Sequence, residues 1–241
     1  MLCSNRPLNT RRYGQLKQRE TMRKIITLLI VLFTVPVFGQ NHFIGLKGGI
    51  NWTNVISDNF LSDNDYRNGF IGGLTYEYEF KKKFHLGLDL VYAQKGFKND
   101  VIFTDETGNP IGEKATSNFN YDYLSLPIKG GFSLGNNFAG FLNLGIVPSL
   151  LINAETIIPT FENIDGETFD VTKNVTKFDF GGLIEIGGSY EFKERFLLFT
   201  SFAYQQSFTT ITNEDYFPNG KAKHYGMTLL LGLKYALTIR N

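Results

Sequence analysis

Chemistry in this chain would have to come from few histidines and many carboxylates. The three histidines are His42, His85 and His224, with no i, i+4 pair and no H-E-x-x-H. That spacing argues against a zinc site. His224, Ser207 and Asp215 would supply base, nucleophile and orienting acid if the fold brought them to one rim. Such a rim would make the protein a barrel enzyme acting on lipid. No G-x-S-x-G accompanies these residues, and all three types are common in loops. Glu77 and Asp89 imitate an acid/base carboxylate pair, but a lumen salt bridge explains them more simply. Gly181-Gly182 and Gly187-Gly188 precede no helix and so do not form a phosphate loop. Acidic residues such as Asp105, Glu106, Glu162 and Asp165 fall in polar stretches. They could bridge divalent cations weakly, but they lack a twelve-residue calcium-loop pattern and read as solvated. The expectation is a non-enzymatic protein with no catalytic residues, no cofactor and no metal.

Composition narrows the classes further. Aromatics make up 15% of 241 residues, which is enough to build a core and excludes a disordered chain. The single Cys, Cys3, excludes a disulfide scaffold. A formal net charge of +1 gives no ground for a nucleic-acid partner. One apolar run exists near the N-terminus, so a helical multi-span membrane protein is not expected.

That run is an export signal in pattern. Met22-Arg23-Lys24 precedes Ile25 to Val35, and Gly39 stands at the expected cleavage position before Gln40. The run is too short for a comfortable transmembrane helix. Residues 22–39 therefore read as a signal peptide and 1–21 as an upstream extension from a misassigned start. Residues 40–241 read as one β-barrel domain. Cleavage there removes Cys3 and presents Gln40 rather than a lipoprotein cysteine.

What must position any site is a period-2 grain that runs through residues 40–241. From Phe84, the even positions read Phe84, Leu86, Leu88, Leu90 and Tyr92, against His85, Gly87, Asp89 and Val91. Similar alternation occupies His42–Trp52, Phe70–Phe80, Tyr123–Phe132, Phe138–Ile146, Phe178–Tyr190, Phe196–Gln205 and Tyr225–Ala236. Strict alternation over such lengths is strand. Short connections fall near Lys81-Lys82-Lys83, Leu134–Asn137 and Glu191–Arg195. Long ones fall near Thr53–Arg67, Lys98–Asn118, Asn153–Val175 and Thr210–Lys223. The pattern predicts an all-β, eight-stranded antiparallel up-and-down barrel.

Two closed designs fit that pattern. A soluble periplasmic lipocalin-like barrel would turn its apolar side inward around a ligand. A transmembrane barrel would turn it outward to lipid. Residue size favours the second, because eight strands leave an interior only wide enough for side chains to fill. The polar set here is mostly small or charged, and the apolar set is bulky. Outward aromatics flank each short turn: Phe80 and Phe84, Phe132 and Phe138, Tyr190 and Phe196. They are expected to form a girdle at a membrane interface. Inward parity collects Lys47, Lys95, Lys129 and Lys234 with Glu77, Glu79, Asp89, Asp179 and Glu185. In so narrow a lumen these charges should pair into a structural plug rather than line an ion pathway.

The sequence resembles the PorT-like, or outer membrane protein beta-barrel domain, family of Gram-negative bacteria. Gly45-Leu46-Lys47-Gly48-Gly49-Ile50-Asn51 is similar to its first strand, and Tyr123-Leu124-Ser125-Leu126-Pro127-Ile128 to a Y-L-x-x-P strand. Phe178-Asp179-Phe180-Gly181 resembles its F-D-x-G opening, and Gly232-Leu233-Lys234-Tyr235 its last strand. The resemblance implies a small outer-membrane barrel, with some members implicated in secretion, and supplies no catalytic residues. The chain ends Leu237-Thr238-Ile239-Arg240-Asn241, without a terminal aromatic, so an insertion signal would lie inside the last strand. The partners this implies are outer-membrane lipid, the outer-membrane assembly machinery and an envelope or secretion-complex protein. The role expected is structural or interacting in the envelope, or that of a part of a secretion or transport assembly.

Overall fold

The structure, a computed structural model, describes residues 41–58, 64–80, 83–102, 104, 107–109, 115–160, 165–193, 195–213 and 220–237. The signal peptide, the upstream extension, the cleavage position and Asp215 lie outside these residues. Among the described residues ten strands are present: β1 Asn41–Asp58, β2 Asn64–Phe80, β3 Phe84–Val101, β4 Ala115–Ser125, β5 Ile128–Gly135, β6 Phe138–Ile158, β7 Glu167–Asp170, β8 Phe178–Lys193, β9 Phe196–Ser207 and β10 Lys221–Ala236. A 3-10 turn covers Thr172–Asn174.

All pairings are antiparallel, and the ring runs in chain order, with β4 and β5 sharing one position between β3 and β6, until β10 closes on β1. Leu46 sits opposite Leu233 across that closing seam and opposite Leu74 on the other side. Closure leaves no sheet edge in the ring, which is the condition for a strand protein to cross lipid.

The expected eight strands become ten for two physical reasons. Proline cannot donate to a ladder, and Pro127 splits one stave into β4 and β5, which together fill the position between β3 and β6. Asp89 N–H donates to the Pro127 carbonyl at 2.9 Å, and Leu126 N–H to the Pro148 carbonyl at 2.9 Å, so the seam holds across the break. The other addition is β7, which pairs only with the far end of β6, outside the ring. It lies in a stretch expected to be loop. Next to it, hydrogen bonds from Thr172 hold the Asp170 carboxyl below its ordinary range.

Tracing cross-strand partners from Ala93 through Ile71, Gly49, Leu230, Ser201, Gly187, Phe141 and Ser133 returns to Lys83, at the foot of β3 and ten residues lower. A ring with that stagger must tilt its strands by roughly 40°.

Side-chain burial settles which face is out. Leu86, Leu88 and Leu90 are 54%, 41% and 44% exposed, while His85, Asp89 and Val91 between them are 3%, 0% and 1%. The same inversion holds in β1 and β10, where Leu46 and Leu231 are exposed and Lys47 and Lys234 are buried. A lipocalin-like interior is therefore contradicted: lysines and carboxylates face in, and leucines face out.

A second set of outward aromatics, Trp52, Tyr66, Tyr92, Tyr204 and Tyr225, lies up the strands from the girdle at the short turns. Tyr92 stands eight residues above Phe84, and Tyr225 ten above Tyr235. With the tilt, that spacing makes an apolar band of roughly 20–25 Å, the height of a membrane barrel's belt. Strands of 18 residues in β3 and 21 in β6 exceed what the belt needs. They run on into the stretches expected as long connections, so the barrel wall continues past the membrane there.

Leu88→Arg should place a charge on the lipid face and cost about 2–4 kcal/mol. Urea unfolding of the variant in liposomes checks this, and unchanged resistance would contradict the outward face.

Candidate functional site: the charged lumen

Alternation along β1, β3, β5 and β8 aims Lys47, Asp89, Lys129 and Glu185 into one level of the lumen. Lys47 Nζ lies 2.5 Å from Asp89 Oδ2, and Lys129 Nζ lies 3.0 Å from the same oxygen. Lys129 Nζ also reaches Glu185 Oε2 at 2.9 Å. Cation and anion thus alternate in an electrically neutral chain of four. Asn143 Nδ2 donates to Glu185 Oε2 at 2.9 Å and Ser201 Oγ to Oε1 at 2.7 Å. All four charged side chains are at most 8% exposed. Ions this buried persist only when paired and hydrogen-bonded.

The geometry needs one glycine in particular. A Cβ built on Gly131 would fall 2.0 Å from Asn143 Oδ1. Any larger residue would push Asn143 away from Glu185 and from His85, whose Nε2 lies 2.5 Å from that oxygen.

Two further pairs flank the chain. Lys95 Nζ donates to Asp179 Oδ2 at 2.9 Å, and Ser207 and Thr209 donate to the same carboxylate, each at 2.9 Å. Lys95 also sits 4.9 Å from the Tyr123 ring centroid. Lys234 pairs with Glu77 and lies 4.7 Å from the Phe199 ring centroid. Eight of the nine inward charges named from the sequence therefore meet in three groups. Glu79 stands apart at the short-turn end, where Asn41 donates to it at 3.0 Å.

Among the described residues, the members of the enzyme-like combinations are engaged separately. Ser207 gives its hydrogen bond to Asp179 rather than to His224, and His224 is buried against the rings of Tyr121 and Tyr123. Glu77 and Asp89 are each taken by lysines. His42 bonds to the Tyr76 hydroxyl at 2.8 Å, away from His85 and His224. Among the described residues no three His, Cys, Asp or Glu converge on a metal position.

The girdle residues cluster as rings. Phe80 and Phe84 stack at 5.8 Å, Phe138 and Tyr190 at 4.3 Å, and Phe196 packs on Tyr235 at 5.3 Å, while Phe132 is the register partner of Phe84.

Sequence reasoning missed the upper lumen. Above the ion pairs the interior turns apolar: Val55, Phe97, Tyr121, Tyr123, Leu151, Ala154, Val175, Ile211 and Ala222 form one buried cluster. Phe97 and Phe119 stack at 4.4 Å within it. The signal was available, because Phe97 continues the inward parity of β3 and Tyr121 that of β4. Between this cluster and the ion chain, a void of about 10 Å³ is lined by Asn51, Thr53, Lys95, Gln205, Ser207 and His224. That is room for about one water molecule.

An all-antiparallel closed ring with leucines outside and paired ions inside defines a transmembrane β-barrel. The model of the outer membrane protein beta-barrel domain matches residues 38–213, and the chain belongs to that family of the bacterial outer membrane. Among solved structures it is similar to Neisserial surface protein A, at 10% identity and a TM-score of 0.46 over 82% of this chain and 99% of that one. OprG of Pseudomonas aeruginosa aligns at 15% identity and 0.46, covering 82% and 96%. The outer membrane protease OmpT of Escherichia coli aligns at 10% and 0.47, covering 85% and 99%. Among curated proteins none matches the sequence.

Asp89→Asn should strand Lys47 and leave Lys129 to Glu185 alone, costing about 3–5 kcal/mol. Asp170→Asn, on exposed β7, should leave the urea midpoint unchanged. Titrations read by the gel-mobility difference between folded and unfolded barrel would compare them, and equal midpoints would contradict a shared carboxylate.

Proposed function

We propose that this protein is a non-enzymatic outer-membrane barrel whose lumen is closed, serving as a membrane-held platform in the envelope. The observation that carries this reading is the neutral chain Lys47–Asp89–Lys129–Glu185, which crosses the lumen with every member buried. A pathway for ions needs sites that an ion can enter and leave. Charges locked to one another offer it none, and the apolar cluster above adds a dry layer. What remains for function is the surface beyond the belt. There the walls of β3, β4 and β6 rise, and β7 exposes Glu167, Thr168, Phe169 and Asp170.

On this reading its partners are outer-membrane lipid, the outer-membrane assembly machinery and an envelope or secretion-complex protein. The PorT-like resemblance favours a component of a secretion or transport assembly, and the lifted rim is where such a component would be held. Ser207 gives its hydrogen bond to Asp179 and His224 packs edge-on against Tyr121 and Tyr123, which supports the non-enzymatic reading.

The wild-type protein should show no large, stable conductance in a planar bilayer. Replacing both Lys129 and Glu185 with alanine should raise conductance above that baseline by removing the middle of the plug. Porin-like steps from the wild type would refute the closed lumen.

A further inference from the structure

Polar atoms buried without a partner are costly, and one small region of this lumen gathers three of them. The void between the ion chain and the apolar cluster is lined by Asn51, Thr53, Lys95, Gln205, Ser207 and His224. Its room comes from Gly226, which faces inward on β10 opposite Thr53 and fills none of it. Four of the six side chains are already engaged. Asn51 Nδ2 donates to the Gln94 carbonyl at 3.0 Å, and its Oδ1 accepts from Thr228 at 2.8 Å. Thr53 Oγ1 donates to the Gly96 carbonyl and accepts from the Gly96 N–H, each at 2.9 Å. Lys95 and Ser207 are both held by Asp179.

Gln205 and His224 are the exceptions. The Gln205 amide nitrogen and both ring nitrogens of His224 are buried without a hydrogen-bond partner among the described residues, and His224 as a whole is 2% exposed. The two residues stand on neighbouring strands, β9 and β10, and border the same space. Size and charge decide what fits it. A volume of about 10 Å³ admits one water and nothing larger. Lys95 and Asp179 already cancel, so with His224 neutral the wall offers an ion no net charge. Water also suits either tautomer of the histidine, because it can accept from an N–H or donate to a bare nitrogen.

We propose that this void is the binding site of one resident water molecule, which accepts from the Gln205 amide and bonds to a ring nitrogen of His224. Asn51 Oδ1, Thr53 Oγ1 and Ser207 Oγ each keep a lone pair for its hydrogens. Through Ser207 the water joins the Lys95–Asp179 pair to the apolar cluster above, where His224 packs against Tyr121 and Tyr123. The site goes beyond the platform role and rests only on the burial of these groups.

The first test is dipolar contact with water, read from paired NOESY and ROESY spectra of the folded protein in phospholipid nanodiscs. The Gln205 side-chain amide should give water cross-peaks of opposite sign in the two spectra, the mark of a held water rather than of proton exchange. The Asn143 amide, in the ion layer, should give none. The second test is a double-mutant cycle in urea. Gln205→Leu and His224→Phe should each lower the folded-to-unfolded ratio roughly tenfold, since each leaves the water and the other residue short of a partner. The double variant should recover most of that loss, because both partners are then apolar. No water contact at Gln205, equal contact at Asn143, or single variants that stabilise the barrel additively would each overturn the proposal. Bromide-dependent shifts of the Gln205 amide would also overturn it, giving the site to an anion.

Discussion

Asp89 holds two lysines from two different strands on a single carboxylate oxygen, at 2.5 and 3.0 Å. The rest of the barrel follows from making that arrangement tolerable. Buried ions are costly, and their mutual attraction offsets the loss of water only when geometry and remaining hydrogen bonds are satisfied. Glu185 completes the chain and takes Asn143 and Ser201 as well. Six strands are thereby tied through one polar layer. The layer fixes register, because a slip of one residue would send every charge into lipid and every leucine into the lumen.

That layer also explains the division of the interior. Ions occupy the part within the belt, where the wall outside is leucine and no water is available to a stray backbone group. Beyond the upper aromatics, water lies outside and the wall no longer needs an apolar exterior. The interior there becomes apolar instead, with Phe97, Tyr121 and Tyr123 packed beneath Val175 and Ile211. The protein is inside-out across the membrane and conventional above it. The closed-lumen reading of its function draws on both layers.

Much of this was legible in residue order. Alternation such as Leu86-Gly87-Leu88-Asp89-Leu90 states strand, face and membrane at once, and the aromatic pairs beside Lys83 and Asn137 mark one interface. The nine inward charges were found by parity alone. Their partners were not, because which lysine meets which carboxylate depends on the stagger of the closed ring, and that is a property of all the strands together. The split at Pro127 follows from a missing N–H and could be anticipated from the residue itself. The strand β7 could not: Glu167-Thr168-Phe169-Asp170 is too short to show a period, and it forms because β6 extends far enough to offer an edge. The apolar upper lumen was missed by stopping the alternation of β3 at Lys95, two residues before Phe97.

The most direct test of the account is whether water-borne reagents reach the ion layer. Ser201→Cys places a thiol of nearly the same shape beside Glu185, in a chain whose own Cys3 is replaced by Ser; Lys83→Cys serves as the exposed reference. Both would be treated with a charged methanethiosulfonate reagent in liposomes. The account predicts that the thiol at position 201 stays unmodified while the one at 83 reacts to completion. Comparable modification at the two positions would show an open, hydrated lumen and contradict it.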